Sequence, residues 1–120
     1  QIVVMAAGQG RRMRSARPKV LHALAGRPLV AHVLDAARAV APRALVLVIG
    51  RGHDDVRAAL AAPDLSIVTQ DPPRGTGDAV RVALAALPDD GVTLVVNGDC
   101  PLLPAAAKWI MPRVRVFMYF

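Results

Sequence analysis

The chain has 120 residues, 54% of them hydrophobic, and 15 Lys and Arg against 9 Asp and Glu, for a net charge of +6. That is enough for one small core, and no apolar run approaches the roughly 20 residues that a bilayer-spanning helix needs, so a membrane protein of that kind is excluded. The positive balance suits phosphorylated small molecules; the arginines are scattered and no aromatic residue accompanies them before Trp109, which argues against nucleic acid as a partner.

Cys100 is the only cysteine, so no internal disulfide forms and a reducing compartment, the cytoplasm, is expected. Gln1 leads directly into an apolar run without a signal-peptide pattern, and the missing initiator Met implies native residues before it.

Ile2-Val-Val-Met5 reads as a short buried strand. After it, Ala6, Ala7, Gly8 and Gly10 let backbone amides approach a ligand closely, while Arg11, Arg12, Arg14, Arg17 and Lys19 supply cations. Amides in a Gly-rich turn together with several cations form an anion cradle, and phosphate calls for both. Two familiar phosphate loops do not fit. A dinucleotide fingerprint needs a third glycine where Met13 stands, and the Walker A string Gly-x-x-x-x-Gly-Lys does not occur. The structural alternative is a solvated basic loop.

Gly26-Arg27-Pro28 announces a helix with proline in its first turn; Leu29, Val30, Val33, Leu34, Ala37 and Val40 carry its apolar face, and Pro42 stops it. Leu45-Val-Leu-Val-Ile49 is a strand covered on both faces, ended by Gly50-Arg-Gly52. Asp54 or Asp55 caps a short helix with Val56 and Leu60, closed by Pro63. Leu65-Ser-Ile-Val-Thr69 is the third strand, Gln70 to Gly77 a loop, and Val80, Ala83, Leu84 and Leu87 mark another helix. Val92-Thr-Leu-Val-Val96 is the fourth strand, ending at Asn97-Gly98-Asp99.

Strands alternating with helices predict an α/β fold: a three-layer α/β/α, mostly parallel, Rossmann-like sheet with right-handed crossovers. If the strands are parallel, loops 6–19, 70–77 and 97–101 emerge at one carboxyl edge, where open α/β sheets bind ligands. Asp99 ends a buried strand, where an unpaired carboxylate is costly and a divalent cation is a natural partner; a turn or helix-cap role is the alternative. His22, His32 and His53 lack metal-ligand spacing and read as structural, Asp54-Asp55 reads as a helix start rather than an acid/base pair, and Cys100 as a small buried residue.

Ala6-Ala-Gly-Gln-Gly-Arg-Arg-Met13 followed by Pro18-Lys19 resembles the signature of the sugar-nucleotide pyrophosphorylases, and Pro18-Lys-Val-Leu-His22 resembles their bacterial N-acetylglucosamine-1-phosphate uridyltransferase branch. The match runs from Ile2 to Pro104. It implies a GT-A-like nucleotidyltransferase domain, here in part, belonging to a bifunctional protein whose other half is an acetyltransferase, without counterpart in this chain. The implied reaction is Mg²⁺-dependent uridylyl transfer from UTP to N-acetylglucosamine 1-phosphate, feeding peptidoglycan and lipopolysaccharide synthesis. Full-length members are homo-oligomeric.

Residue by residue, the resemblance makes Arg12 and Lys19 the catalytic phosphate ligands. Gln70, Gly75 and Thr76 become the uracil readers and Asp99 the Mg²⁺ ligand, while Ala6, Ala7, Gly8, Gly10, Lys19, Asn97 and Gly98 join the nucleotide contacts. Asn97 departs from the aromatic residue common in relatives, and Gly98 is expected to allow close approach of the ligand. A nucleotidyltransferase of another specificity, such as the molybdenum-cofactor type, is the enzymatic alternative; Pro18-Lys-Val-Leu-His22 and Gly75-Thr-Gly77 count against it. A nucleotide-binding fragment without catalysis is the other, because the sugar-binding residues and a second metal ligand belong after Pro104.

Residues 1–107 thus read as the N-terminal part of a nucleotidyltransferase domain and 108–120 as a tail of different character. Trp109, Phe117, Tyr119 and Phe120 are the chain's only aromatic residues. Alternation from Ile110 to Phe120 fits a strand, and sequence foreign to the domain fits equally.

Overall fold

The computed structural model describes residues 1–8 and 16–101, together with the backbone of 116–119. Its centre is a parallel sheet of β1 (Ile2–Ala6), β4 (Leu45–Gly50), β5 (Leu65–Gln70), β6 (Thr93–Asn97) and β7 (Val116–Tyr119), in the order β5-β4-β1-β6-β7. A small antiparallel hairpin, β2 (Ala23–Leu24) and β3 (Arg27–Pro28), precedes helix α1 (Leu29–Ala39); α2 (Asp54–Leu60) and α3 (Thr76–Leu84) follow β4 and β5.

The aliphatic strands are continuous runs because both their faces are covered. Alternation divides β1 cleanly. Ile2, Val4 and Ala6 join Leu45, Leu47 and Ile49 beneath Val30, Val33, Leu34 and Ala37 of α1 and Val56 of α2. Val3 joins Val46, Val48 and Val95 on the opposite face, under Ala79 and Ala83 of α3. Leu34 and Leu47 are essentially inaccessible, so truncating either to alanine would cost about 2–5 kcal/mol.

From β1 through α1 to β4, and through α2 to β5, the chain steps outward in one direction with both helices on one face. It then returns across β4 and β1 to β6 with α3 on the other face. A uniform crossover hand demands that exchange of faces when the direction reverses. The sheet is therefore the three-layer α/β arrangement read from the sequence, and its connections diverge between neighbouring strands β1 and β6.

Local boundaries differ from the sequence reading at several points. Gln70 and Asn97 are the last residues of β5 and β6, each extending its strand by one residue. His53, not Asp54 or Asp55, is the N-cap of α2; both aspartates lie in its first turn, and Asp55 Oδ1 accepts the Val56 N–H at 2.9 Å. Pro28 caps α1 from the end of β3, because Ala25 (φ 50°) and Gly26 (φ 77°) turn the chain into a two-residue hairpin first.

Candidate functional site

Open α/β sheets bind ligands outside the carboxyl ends of the strands where connections diverge. Here that crevice lies between β1 and β6. The chain leaving β1 supplies Ala7 and Gly8, and Gly8 has open space around it where a side chain would be. It re-enters the described region at Ala16 and makes a single 3-10 turn over Lys19–Leu21. Val20 and Leu21 are buried beneath that turn and anchor it, leaving Lys19 at the mouth. The Pro18 carbonyl accepts the Leu21 N–H at 3.0 Å and the Lys19 carbonyl the His22 N–H at 3.1 Å.

The chain leaving β6 supplies Gly98, Asp99 and Cys100. Lys19 Nζ donates to Asp99 Oδ2 at 2.5 Å, with the two side chains 44% and 30% exposed. The two candidate ligands for phosphate and metal thus meet directly across the crevice. Cys100 Sγ lies 3.9 Å from Asp99 Oδ1; burial first, and the neighbouring carboxylate second, push its thiol pKa up. Gly98 has a structural explanation beyond ligand access. Its N–H donates to the Met5 carbonyl at 2.8 Å, and a Cβ would stand 2.9 Å from that oxygen and 3.3 Å from Val20 Cγ1.

The second cluster lies at the carboxyl end of β5. Gln70 is 2% exposed, and its Nε2 donates to the Gly75 carbonyl at 3.0 Å and to Asp78 Oδ2 at 2.9 Å. Asp78 Oδ1 in turn accepts from Arg81 Nη2 at 2.7 Å and Nε at 3.1 Å. The Gln70 amide, then the Arg81 guanidinium, hold the Asp78 carboxyl below the usual carboxylate range. Gly75 sits at φ 95°, a conformation that favours glycine, and N-caps α3 without a side-chain bond; Thr76 is the first helical residue and exposed. Neither Thr76 nor Asp78 caps the helix through its side chain.

Adjacent strands are about 4.8 Å apart, so β5 ends roughly 10 Å from β1, with β4 between them.

Of the residues singled out in the sequence, Ala6 is the buried end of β1, and Ala7, Gly8, Lys19, Asn97, Gly98 and Asp99 surround the crevice. Gln70, Gly75 and Thr76 form the second cluster. Gly10 and Arg12 lie outside the described residues. The sequence reading passed over the loop after β4. Gly52, His53 and Asp55 there line a cleft of about 190 Å³ with Ala16, Arg17 and Pro18. Gly50-Arg-Gly52, a Gly-rich exit from a parallel strand like the others, was the available signal. Among the described residues no three His, Cys, Asp or Glu side chains group as a metal cage. Asp99 is the acidic group at the crevice, and it already accepts a cation.

Residues 2–112 match the MobA-like NTP transferase domain family. Over 105 residues the chain is 60% identical to the bifunctional protein GlmU of Burkholderia thailandensis, which covers 88% of this chain but only 23% of that protein. The crystal structure of Rv0371c from Mycobacterium tuberculosis H37Rv superposes with a TM-score of 0.77 at 31% identity, over 89% of this chain and 55% of that one. The complex of Rv0371c with manganese gives 0.73 at 28% identity, over 89% and 54%. Sheet order, crevice and sequence agree: the chain belongs to the MobA-like NTP transferase domain family and has the Rossmann-like α/β fold of nucleotidyltransferases.

Proposed function

We propose that the crevice binds UTP with a divalent cation, Mg²⁺, and that the chain contributes this nucleotide site to uridylyl transfer onto N-acetylglucosamine 1-phosphate. The observation carrying this reading is the contact of Lys19 with Asp99 between the carboxyl ends of β1 and β6. It is supported by the identity to GlmU, by the manganese complex of Rv0371c, and by the carboxylate's evident fitness to hold a positive charge. A cation bound by one carboxylate and nucleotide phosphates is ordinary for Mg²⁺, which retains waters and rarely has a full protein cage.

In the proposed reaction a phosphate oxygen of the sugar phosphate attacks the α-phosphorus of UTP in line. The new P–O bond forms as the bond to the pyrophosphate oxygen breaks, giving UDP-N-acetylglucosamine and pyrophosphate. Such chemistry needs position and charge neutralisation rather than a protein nucleophile. Lys19 neutralises charge beside the α-phosphate, and Arg12 grips the departing pyrophosphate in two-pronged fashion. Asp99 would hold the metal, whose charge neutralises the phosphate oxygens when it is bound. Ala6, Ala7, Gly8 and Gly10 offer backbone contact, Asn97 and Gly98 border the nucleotide, and Gln70, Gly75 and Thr76 read the base.

No described helix is long and apolar enough to cross a membrane; the proposed setting is the cytoplasm, in a homo-oligomeric bifunctional protein supplying cell-wall and lipopolysaccharide precursors. Titration calorimetry of the chain with UTP, CTP, ATP and GTP in Mg²⁺ tests the reading. Preference for UTP supports it. Equal affinities leave only a phosphate cradle and remove the base assignment, and preference for another base points to a different transferase within the MobA-like family.

A further inference from the structure

A glutamine amide offers two N–H donors and one carbonyl acceptor, and which of them a ligand meets decides what the ligand must bring. At Gln70 the surroundings settle the orientation. The side chain is 2% exposed, and its amide end faces the Gly75 carbonyl at 3.0 Å and Asp78 Oδ2 at 2.9 Å. A backbone carbonyl accepts and never donates. The Asp78 carboxyl is ionised at neutral pH, held so by Gln70 and Arg81, and accepts as well. Turning the amide over would set its oxygen against two acceptors, one of them charged, with no compensating donor. Both amide hydrogens are therefore committed within the protein, and the carbonyl oxygen alone is left to meet a ligand.

We propose that Asp78 is a positioning residue that locks the Gln70 amide with its oxygen outward, making the base site an acceptor that selects a pyrimidine carrying an N–H donor at ring position 3. This rests on the assignment of base reading to Gln70. Uracil presents N3–H, whereas cytosine presents a bare N3 lone pair at the same place on a ring of the same size. The locked oxygen attracts the first and repels the second. A site with buried polar groups rejects an unmatched analogue strongly because a group on each side is left unpaired. Arg81 assists by keeping Asp78 seated through two contacts to Oδ1, so that Oδ2 stays on Gln70.

The test compares UTP and CTP binding to the chain, with Mg²⁺, in the wild type and in Asp78→Ala, Asp78→Asn and Gln70→Ala. Removing the carboxylate frees the amide to turn, so Asp78→Ala should cut the UTP-over-CTP preference by at least roughly tenfold, partly through tighter CTP binding. Asp78→Asn can turn its carbonyl toward Gln70 and should restore most of the preference, which a merely structural loss would not do. Parallel loss of both affinities in Asp78→Ala, with the preference intact, overturns the lock. If Gln70→Ala itself keeps the preference, the base assignment fails and takes the lock with it; if Gln70→Ala abolishes it and Asp78→Ala does not, the lock alone fails. A measurement on the wild type guards against a variant that does not fold. Both Gln70 side-chain hydrogens should exchange with solvent far more slowly in NMR spectra than those of a free glutamine amide, and rapid exchange of either overturns the proposal.

Discussion

Lys19 Nζ lies 2.5 Å from Asp99 Oδ2, joining residues 80 positions apart across the crevice between β1 and β6. Stability does not explain the pairing. Both side chains are partly exposed, 44% and 30%, and such pairs contribute roughly 0–1 kcal/mol. What the contact does is bring an ammonium and a carboxylate, the proposed ligands of phosphate and of metal, to one point. Lys19→Ala should therefore leave the thermal unfolding curve nearly unchanged while weakening UTP binding by about 1.5–3 kcal/mol, as expected for a charge-assisted contact. Arg12→Ala should weaken UTP binding to a similar degree. Unchanged affinity in both variants, measured calorimetrically, would contradict the cradle.

Gly98 is expected to behave in the opposite way. A methyl group there would stand 2.9 Å from the Met5 carbonyl oxygen and 3.3 Å from Val20 Cγ1, so either β1 or the turn beneath Lys19 must shift. Gly98→Ala should destabilise the fold by about 1–3 kcal/mol, in the range of overpacked interiors. Urea denaturation measures it. A variant as stable as the wild type would show that the two strand ends have room, and would return Gly98 to the ligand alone.

The contrast between these residues reflects what a sequence encodes locally. Leu45-Val-Leu-Val-Ile49 can be read as a doubly covered strand because its continuous aliphatic character is the direct consequence of having helices on both faces. Gly-rich and polar exits after β1, β5 and β6 were equally legible, and parallel topology carries them to one edge. The hairpin before α1 was not. Its strands have two residues each, too few for any period, and its turn uses Ala25 at positive φ where Asn would have announced it. The contact of Lys19 with Asp99 was hidden for a different reason: each residue was a candidate ligand by itself, and nothing local says that they meet. The engagement of Gln70 with Asp78 was hidden too, since a polar residue at a strand end reads as available for a ligand until its partners are seen.

Acid titration should expose two carboxylates. The Arg38 guanidinium, donating to Asp64 at 2.6 Å, and the Gln70 and Arg81 groups around Asp78 hold both pKa values below the ordinary 3.8. A group whose pKa is lower folded than unfolded binds its proton more readily when unfolded. Its stabilisation is thus fully present above the ordinary value and fades as pH falls through the lower, folded one. The urea midpoint should be insensitive to these groups near neutrality and decline below about pH 4, and Asp64→Asn and Asp78→Asn should each make that decline shallower. An acid limb of undiminished steepness in both variants would place its origin elsewhere.

The last prediction concerns competition at Asp99. The Lys19 ammonium sits on Oδ2, an oxygen that the proposed divalent cation would need, and two positive charges cannot share it without strong repulsion. A triphosphate bound as proposed would reverse the relationship, because its oxygens would give the ammonium and the metal separate negative partners. Lys19→Met should accordingly bind Mn²⁺ several-fold more tightly than the wild type when nucleotide is absent, yet hold the Mn²⁺ complex of UTP less well, since the proposed contact to the α-phosphate would be lost. Asp99→Asn should bind Mn²⁺ poorly under both conditions. The electron paramagnetic resonance signal of free Mn²⁺ reads each case without any need for turnover. If Lys19→Met and the wild type take up Mn²⁺ equally in the absence of nucleotide, the ammonium does not stand where the metal goes, and the paired geometry of the crevice has no part in loading it.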